Sequence, residues 1–269
     1  MDLAATLARE SASDLEKRWR NAMGHWKRDP DSTYGRRAAD LLDLIDAERA
    51  RRSLPGAMVA FLERFPEGFS DAAYLREERS DKVAASALAQ GALTQAAFAA
   101  AETGDPLPLL QAVKGIVNAT NLIQGSFEKP KLFDAMLDPA NAKTFVHALG
   151  ALLHGAGEPP ARLEAFSDYL HTLGLRKWTY GTYFLFLAAP EQCFFVKPES
   201  LKKAAEKAVF NLDYESAPTA IGYARILEFA NWIRARLLRE NSEALAPRDM
   251  IDIQSFIWFV APTGKFAKD

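Results

Sequence analysis

Apolar residues recur along this chain at intervals of three and four, and no segment sustains the period-two alternation of a half-buried strand. Ala is abundant while Val and Thr are sparse, so local preference points the same way. An all-α protein is expected. Leu41, Leu42, Leu44 and Ile45 make one stripe at helical spacing. Ser70 or Asp71 is placed to cap a helix after Gly68. Asp105-Pro106-Leu107-Pro108 opens another, with Pro in its first turn and Leu109, Val113, Ile116 and Val117 as its buried face. Glu158-Pro159-Pro160 separates a helix around Phe145–Leu153 from one around Leu163–Leu173, because Pro cannot continue a helix. Ala217-Pro218-Thr219 opens a long helix through Arg239, with Ile221, Ala224, Leu227, Ile233 and Leu237 as its expected apolar face. The run from Leu75 to Ala101 is Ala-rich, which favours helix but supplies thin packing.

A chain of 269 residues makes one large domain or two smaller ones sharing a core. A weak boundary is expected near Gly104, with residues 1–104 as supporting helices and 105–269 carrying the chemistry. No run approaches eighteen apolar residues, and the amino-terminal MDLAATLARESASDLEK has acidic residues where a signal peptide carries its basic region. A cytoplasmic protein without a membrane partner is expected. The single Cys193 excludes an intramolecular disulfide and a Cys-based zinc or iron–sulfur site. It lies in an apolar run and reads as packed. His25, His147, His154 and His171 are scattered, and no Gly-rich nucleotide loop occurs, so neither metal nor cofactor is expected. A monomer is the simplest oligomeric state.

The formal net charge of −2 means that any affinity for nucleic acid must come from basic groups gathered on one face. Lys129, Lys131, Arg176, Lys177, Lys197, Lys202 and Lys203 are the candidates; the bland alternative for each is a solvated surface residue. Five of them fall in LGLRKWTYGTYFLFLAAPEQCFFVKPESLKKAAE, from Leu173 to Glu206. A turn carries Gly174, Arg176 and Lys177. An apolar helix follows over about Thr179–Ala189, then a hydrophobic exit, Cys193–Val196, ending on Lys197 and Pro198 at the next helix start.

That order resembles the helix-hairpin-helix DNA glycosylases. In that family a hairpin grips backbone phosphates through main-chain N–H groups, and a catalytic aspartate follows a Val where the next helix begins. Here Lys177 and Lys197 are twenty positions apart, and Val196 precedes Lys197. The chain departs from the pattern twice: Gly174 stands alone until Gly181, and Lys197 occupies the aspartate position. The resemblance covers roughly Asn118 to Val260. A narrower one lies in Pro247-Arg248-Asp249-Met250-Ile251-Asp252-Ile253-Gln254-Ser255-Phe256-Ile257-Trp258. With the Val196-Lys197-Pro198 turn, this run resembles the bacteriophage replication inhibition DNA glycosylases of prokaryotic defence.

The resemblance implies excision of a glucosylated hydroxymethylcytosine from duplex phage DNA, leaving an abasic site. Such chemistry needs a phosphate clamp, a wedge, a base pocket and a carboxylate facing the oxocarbenium-like sugar. The expected clamp is the Leu173–Tyr180 turn, with Gly174, Arg176 and Lys177, supported by Lys202 and Lys203; an ordinary helix–helix turn is the alternative. The expected pocket gathers Trp178, Tyr180, Tyr183, Phe256 and Trp258, with Asn121, Gln124 and Gln254 to read a base edge; core packing and helix capping are the alternatives. Asp252 is expected as the working acid, with Asp249 capping a helix or pairing with Arg248, and Glu199 as the next choice. Lys197 binds phosphate, pairs with an acid, or attacks the sugar as an amine; the first two are preferred. A reader of modified bases that does not cut them is the rival reading, and the Lys at position 197 favours it.

Overall fold

A computed structural model describes residues 3–7 and 9–260. Among the described residues it is all-α, with no strand. The helices are α1 (Leu3–Leu7), α2 (Ala12–Arg28), α3 (Thr33–Arg64), α4 (Ala72–Tyr74), α5 (Ser80–Ala92), α6 (Gln95–Thr103) and α7 (Leu107–Asn118). They continue as α8 (Glu128–Leu137), α9 (Ala142–His154), α10 (Pro159–Thr172), α11 (Trp178–Ala188), α12 (Pro198–Lys207), α13 (Ala220–Arg239) and α14 (Met250–Val260). Between α4 and α5 the chain winds one π-type turn, Leu75–Arg79. No single described helix is long and apolar enough to cross a membrane; α4–α5 and α6 reach that length and hydropathy only together, across a 56° bend.

The chain forms two compact units. The first takes the residues up to Arg64, Glu199–Leu212 and those from Ile257 on. The second takes Phe65–Pro198 and Asp213–Phe256. The division therefore does not fall near Gly104, because α6 packs on α7 and α9 within the second unit. In the first unit α2 lies on α3. Arg49 is fully buried there, 2.6 Å from Glu16 and over the rings of Trp19 and Phe210.

The second unit is built around α11. Trp178, Tyr180 and every residue from Gly181 to Leu187 are buried, and the helix packs on α5, α9 and α10. A helix apolar on all sides belongs in a core. Its last carbonyls are satisfied from α5: the Ser86 hydroxyl donates to Leu187 O at 2.6 Å and the Gln90 amide to Ala188 O at 3.4 Å. The Asp71 cap forms as the sequence predicts, its carboxylate accepting from Ala73 N; Thr219 also caps α13, accepting from Gly222 N. The α7 face is also as expected, with Leu109, Val113, Ile116 and Val117 buried.

The α13 face is not. Ile221 is 85% exposed and Ala224 is exposed too, while Tyr223, Ile226, Ala230, Ile233 and Leu237 are buried. These five keep strict three- and four-residue spacing. The expected set mixed two faces, because α13 carries apolar residues on both.

Candidate functional site

Three places carry the chemistry-bearing residues of the second unit. The first is the hairpin. Helix α10 ends in a Schellman turn: Leu175 N donates to Leu170 O at 2.8 Å and Gly174 N to His171 O at 3.0 Å. Gly174 sits at φ +70°, the left-handed conformation that glycine adopts without strain. Buried Leu175 closes the turn, and Lys177 in extended conformation begins α11. No side chain caps that amino end with a hydrogen bond to its backbone. Lys177 reaches the Glu128 carboxylate at 3.1 Å, and Arg176 the Asp168 carboxylate at 2.9 Å. In each pair one partner is exposed and the other mostly covered: Glu128 is 14% and Arg176 30% exposed, and the Glu128 carboxylate also lies 3.4 Å from Thr179 Oγ1.

The second place was expected to hold the working acid. Asp252 is fully buried and accepts five hydrogen bonds: from Tyr74 Oη at 2.6 Å, Arg79 Nη1 at 2.8 Å, and the backbone N, Nε and Nη2 of Arg248 at 2.9, 2.9 and 3.1 Å. Its lone pairs are spent on donors inside the protein. Asp249 holds Arg79 with both oxygens, at 2.8 and 2.6 Å, and accepts from Ile251 N and Asp252 N. It is the amino cap of α14. Burial pushes the Asp249 carboxyl up, but the hydrogen bond and charge of Arg79 outweigh it and hold the group below its ordinary 3.8. Arg248 also donates to Phe69 O at 2.6 Å. This knot ties the segment around Phe69–Arg79 to the start of α14. It is a structural element: Asp252 is enclosed rather than presented as a working acid, and Asp249 takes the capping role that was one of its two expected alternatives. Asp249 pairs with Arg79, not with Arg248.

The third place surrounds Lys197. The extended exit segment Cys193–Val196 is buried, and its backbone is held by side chains. The Tyr223 hydroxyl accepts from Phe194 N at 3.0 Å and lies 3.1 Å from Phe194 O; the Thr182 hydroxyl accepts from Val196 N at 3.1 Å. This fixes where Lys197 leaves the core. The Lys197 ammonium is half-buried and feels Glu78 and Lys82, from the π-type turn and α5, and Glu128 at the start of α8. Lys82 is itself 4% exposed; its Nζ lies 3.7 Å from the Glu78 carboxylate and 3.9 Å from that of Asp81, and it donates to the Glu78 carbonyl. Burial and then the Lys82 charge lower the Lys197 pKa from its ordinary 10.5, against the opposing pull of Glu78 and Glu128. Burial raises the Glu78 carboxyl above its ordinary 4.5, with Asp81 and Glu77 adding to it and Lys82 and Lys197 opposing. The two shifts run in opposite senses, the lysine down and the carboxyl up, and burial is the first cause of both. Sequence reasoning named Lys197 but missed Glu78 and Lys82. Their i,i+4 spacing was the available signal, and it reads equally as a surface ion pair.

The expected aromatic pocket is core. Trp178 is 2% exposed and donates from Nε1 to Glu215 O at 2.8 Å. Tyr180 donates to Glu128 O at 2.9 Å, and Tyr183 to Ile116 O at 2.9 Å with Thr120 Oγ1 3.0 Å away. Each hydroxyl finds a partner inside the protein, so it does not mark a pocket wall. Phe256 is fully buried and Gln254 nearly so. Trp258, Glu199, Lys202 and Lys203 belong to the other unit, where Glu199 and Lys202 pair at 2.7 Å and are largely exposed. Asn121 and Gln124 are exposed on the loop between α7 and α8, beside the hairpin partner Glu128. Of the expected groups, Lys177 and Gln124 meet through the carboxylate of Glu128, which the sequence reading did not single out.

Two clefts lie elsewhere. One of about 400 Å³ in the first unit is lined by Glu16, Lys17, Arg20 and Phe210; one of about 320 Å³ lies against α9 and α10 beside Arg162. Cys193 is buried, and its thiol is pushed up to about 11 by burial, so it is inert as a nucleophile. Among the described residues no three His, Cys, Asp or Glu side chains gather to hold a metal ion.

The described residues form an all-helical protein with an α10–α11 hairpin and a separate grouping of Lys197 with Glu78 and Lys82. No protein-family model, no curated protein and no solved structure matches the chain.

Proposed function

We propose that this protein binds duplex DNA through the α10–α11 hairpin and releases a modified base at the Lys197 cluster, as a DNA glycosylase. The supporting observation is the route from one to the other. The Gly174 turn precedes α11, and the exit segment after α11 delivers half-buried Lys197 within the electrostatic reach of Glu78, Lys82 and Glu128. The resemblance to phage-defence glycosylases supplies the expected substrate, a glucosylated hydroxymethylcytosine. In this reading Glu78, which keeps its proton to higher pH than an ordinary carboxyl, protonates the leaving base. Lys197 attacks or orients water at the sugar carbon as positive charge develops there. Asp252 has no part in the chemistry.

The test is incubation with duplex DNA carrying glucosylated hydroxymethylcytosine, followed by alkali. The expected result is strand breaks at modified positions, none in unmodified DNA, and none with Lys197→Met. The rival reading, a reader of modified bases without catalysis, is favoured by the enclosure of Asp252 and Asp249. Tight binding without alkali-labile sites supports it and ends the enzymatic proposal.

A further inference from the structure

The first unit carries a charged and aromatic tip, distinct from the α10–α11 hairpin and the Lys197 cluster. Helices α2 and α3 are joined by a short loop, residues 29–32. The last turn of α2 carries Trp26, Lys27 and Arg28, and the start of α3 carries Tyr34, Arg36 and Arg37. All six are exposed, Trp26 by 39% and Tyr34 by 75%. Each lies within about 6 Å of the loop along its helix axis. Among the described residues no carboxylate pairs with these four cations, and neither ring packs on another ring or a cation. Asp29 and Asp31 in the loop offset two of the cations and leave the tip positive, in a chain whose formal net charge is −2. Asp40 lies one turn beyond Arg36.

The tip is held in shape. The Ser32 hydroxyl donates to Asp29 O at 2.8 Å and accepts from Gly35 N at 2.9 Å, at the amino end of α3. Arg36 N donates to Ser32 O at 3.0 Å, and Arg36 Nη1 donates to Asp31 O. Glycine at position 35 permits this approach, because a Cβ there would lie 2.0 Å from Asp29 O. A braced patch loses little freedom when it binds. Guanidinium forks match phosphate oxygens. Exposed rings stack on base faces, and only unpaired bases offer those faces. A bilayer suits the tip less well, since it has no continuous apolar face and would bring Asp29 and Asp31 toward anionic headgroups.

We propose that the α2–α3 tip binds a single-stranded nucleic acid, with its phosphates on Lys27, Arg28 and Arg37 and unpaired bases on Trp26 and Tyr34. This does not rest on the duplex reading of the second unit.

The experiment titrates the full chain into fluorescein-labelled single strands of mixed sequence, one of DNA and one of RNA, and follows anisotropy. At least one strand should bind, more weakly as salt rises. Replacing Arg28 and Arg37 together by Ala should weaken binding about tenfold or more and reduce the slope of log affinity against log salt by about 1.4. Trp26→Ala and Tyr34→Ala should each weaken it about fivefold or more. Trp26→Phe keeps a ring and should stay within about twofold of the native chain, whereas Trp26→Leu should not. Lys143→Ala, at an exposed cation on α9, should match the native chain. Affinity that survives both the arginine pair and Trp26→Ala overturns the proposal. So does a native chain that binds neither strand at low salt. Binding to phosphatidylserine vesicles without binding to either strand overturns it in favour of a membrane contact. Base release from duplex DNA, measured in parallel, bears only on the second unit.

Discussion

Asp252→Asn separates a structural from a catalytic carboxylate. The side chain is fully buried and receives five donors from Tyr74, Arg79 and Arg248. Asn keeps one acceptor and turns an NH₂ group toward donors, so at least two charge-assisted hydrogen bonds are lost and one N–H faces another. Removing one partner of a buried pair costs about 3–5 kcal/mol. The lower end applies here, because Arg79 keeps both bonds to Asp249 and the Arg248 side chain, 41% exposed, regains water. A loss of about 3 kcal/mol, against a urea dependence of roughly 3 kcal/mol per molar for a unit of this size, moves the unfolding midpoint down by about 1 M. Far-UV circular dichroism through a urea titration measures it. Base release per folded molecule, assayed below the midpoint, should be unchanged. A variant with the native midpoint but no base release would refute the structural assignment and return Asp252 to the chemistry.

The remaining expectations follow the same geometry. Gly68→Ala should lower stability by at least about 2 kcal/mol, seen as a reduced melting temperature, because Gly68 lies at φ +59° and an added Cβ would sit 1.8 Å from Ala244 O. The knot should also be acid-sensitive. Asp249 is held below its ordinary 3.8, so its contribution is present above that pH and is lost as pH falls through the lower folded value. Urea midpoints taken from pH 5 down to pH 3 should fall, and Arg79→Gln should flatten that slope. Lys82→Met should shift the ascending limb of the pH profile of base release to higher pH, because the nearby charge that lowers Lys197 is gone; an unmoved limb removes Lys197 as the titrating group. Lys177→Ala should weaken binding to all duplex sequences alike and reduce the slope of log affinity against log salt by about 0.9, measured by fluorescence anisotropy.

Periodicity and breakers made most of the helices legible. Pro106, Pro159 and Pro218 lie where helices open, and Thr219 caps as its type predicts. Helix α11 was legible because a segment apolar on all sides has one place to go. The α13 face was not, since Ile221 and Leu238 add apolar positions on the exposed side. The division into units was hidden for a different reason: the first unit is assembled from three separated stretches, and nothing local at Arg64 or Leu212 announces it.

The candidate site was half legible, and the misreading has a physical cause. Local spacing says that Asp249 and Asp252 share a helix face, but not what that face meets. Two carboxylates three apart beside a Pro-defined helix start suit a catalytic pair, and they suit equally well the anchor for a buried arginine. Arg79, 170 residues from Asp249 in sequence, decides between them. The aromatic residues mislead for the same reason: whether Tyr180 and Tyr183 wall a pocket depends on the partner each hydroxyl finds, and both find backbone carbonyls across the core. Lys197 carries the opposite lesson. Its position after a buried extended segment is written in the local sequence, but the lowering of its pKa comes first from burial and then from the charge of Lys82, more than a hundred residues earlier on α5, against the pull of Glu78 and Glu128. Neither that burial nor that neighbour can be read from the residues around position 197.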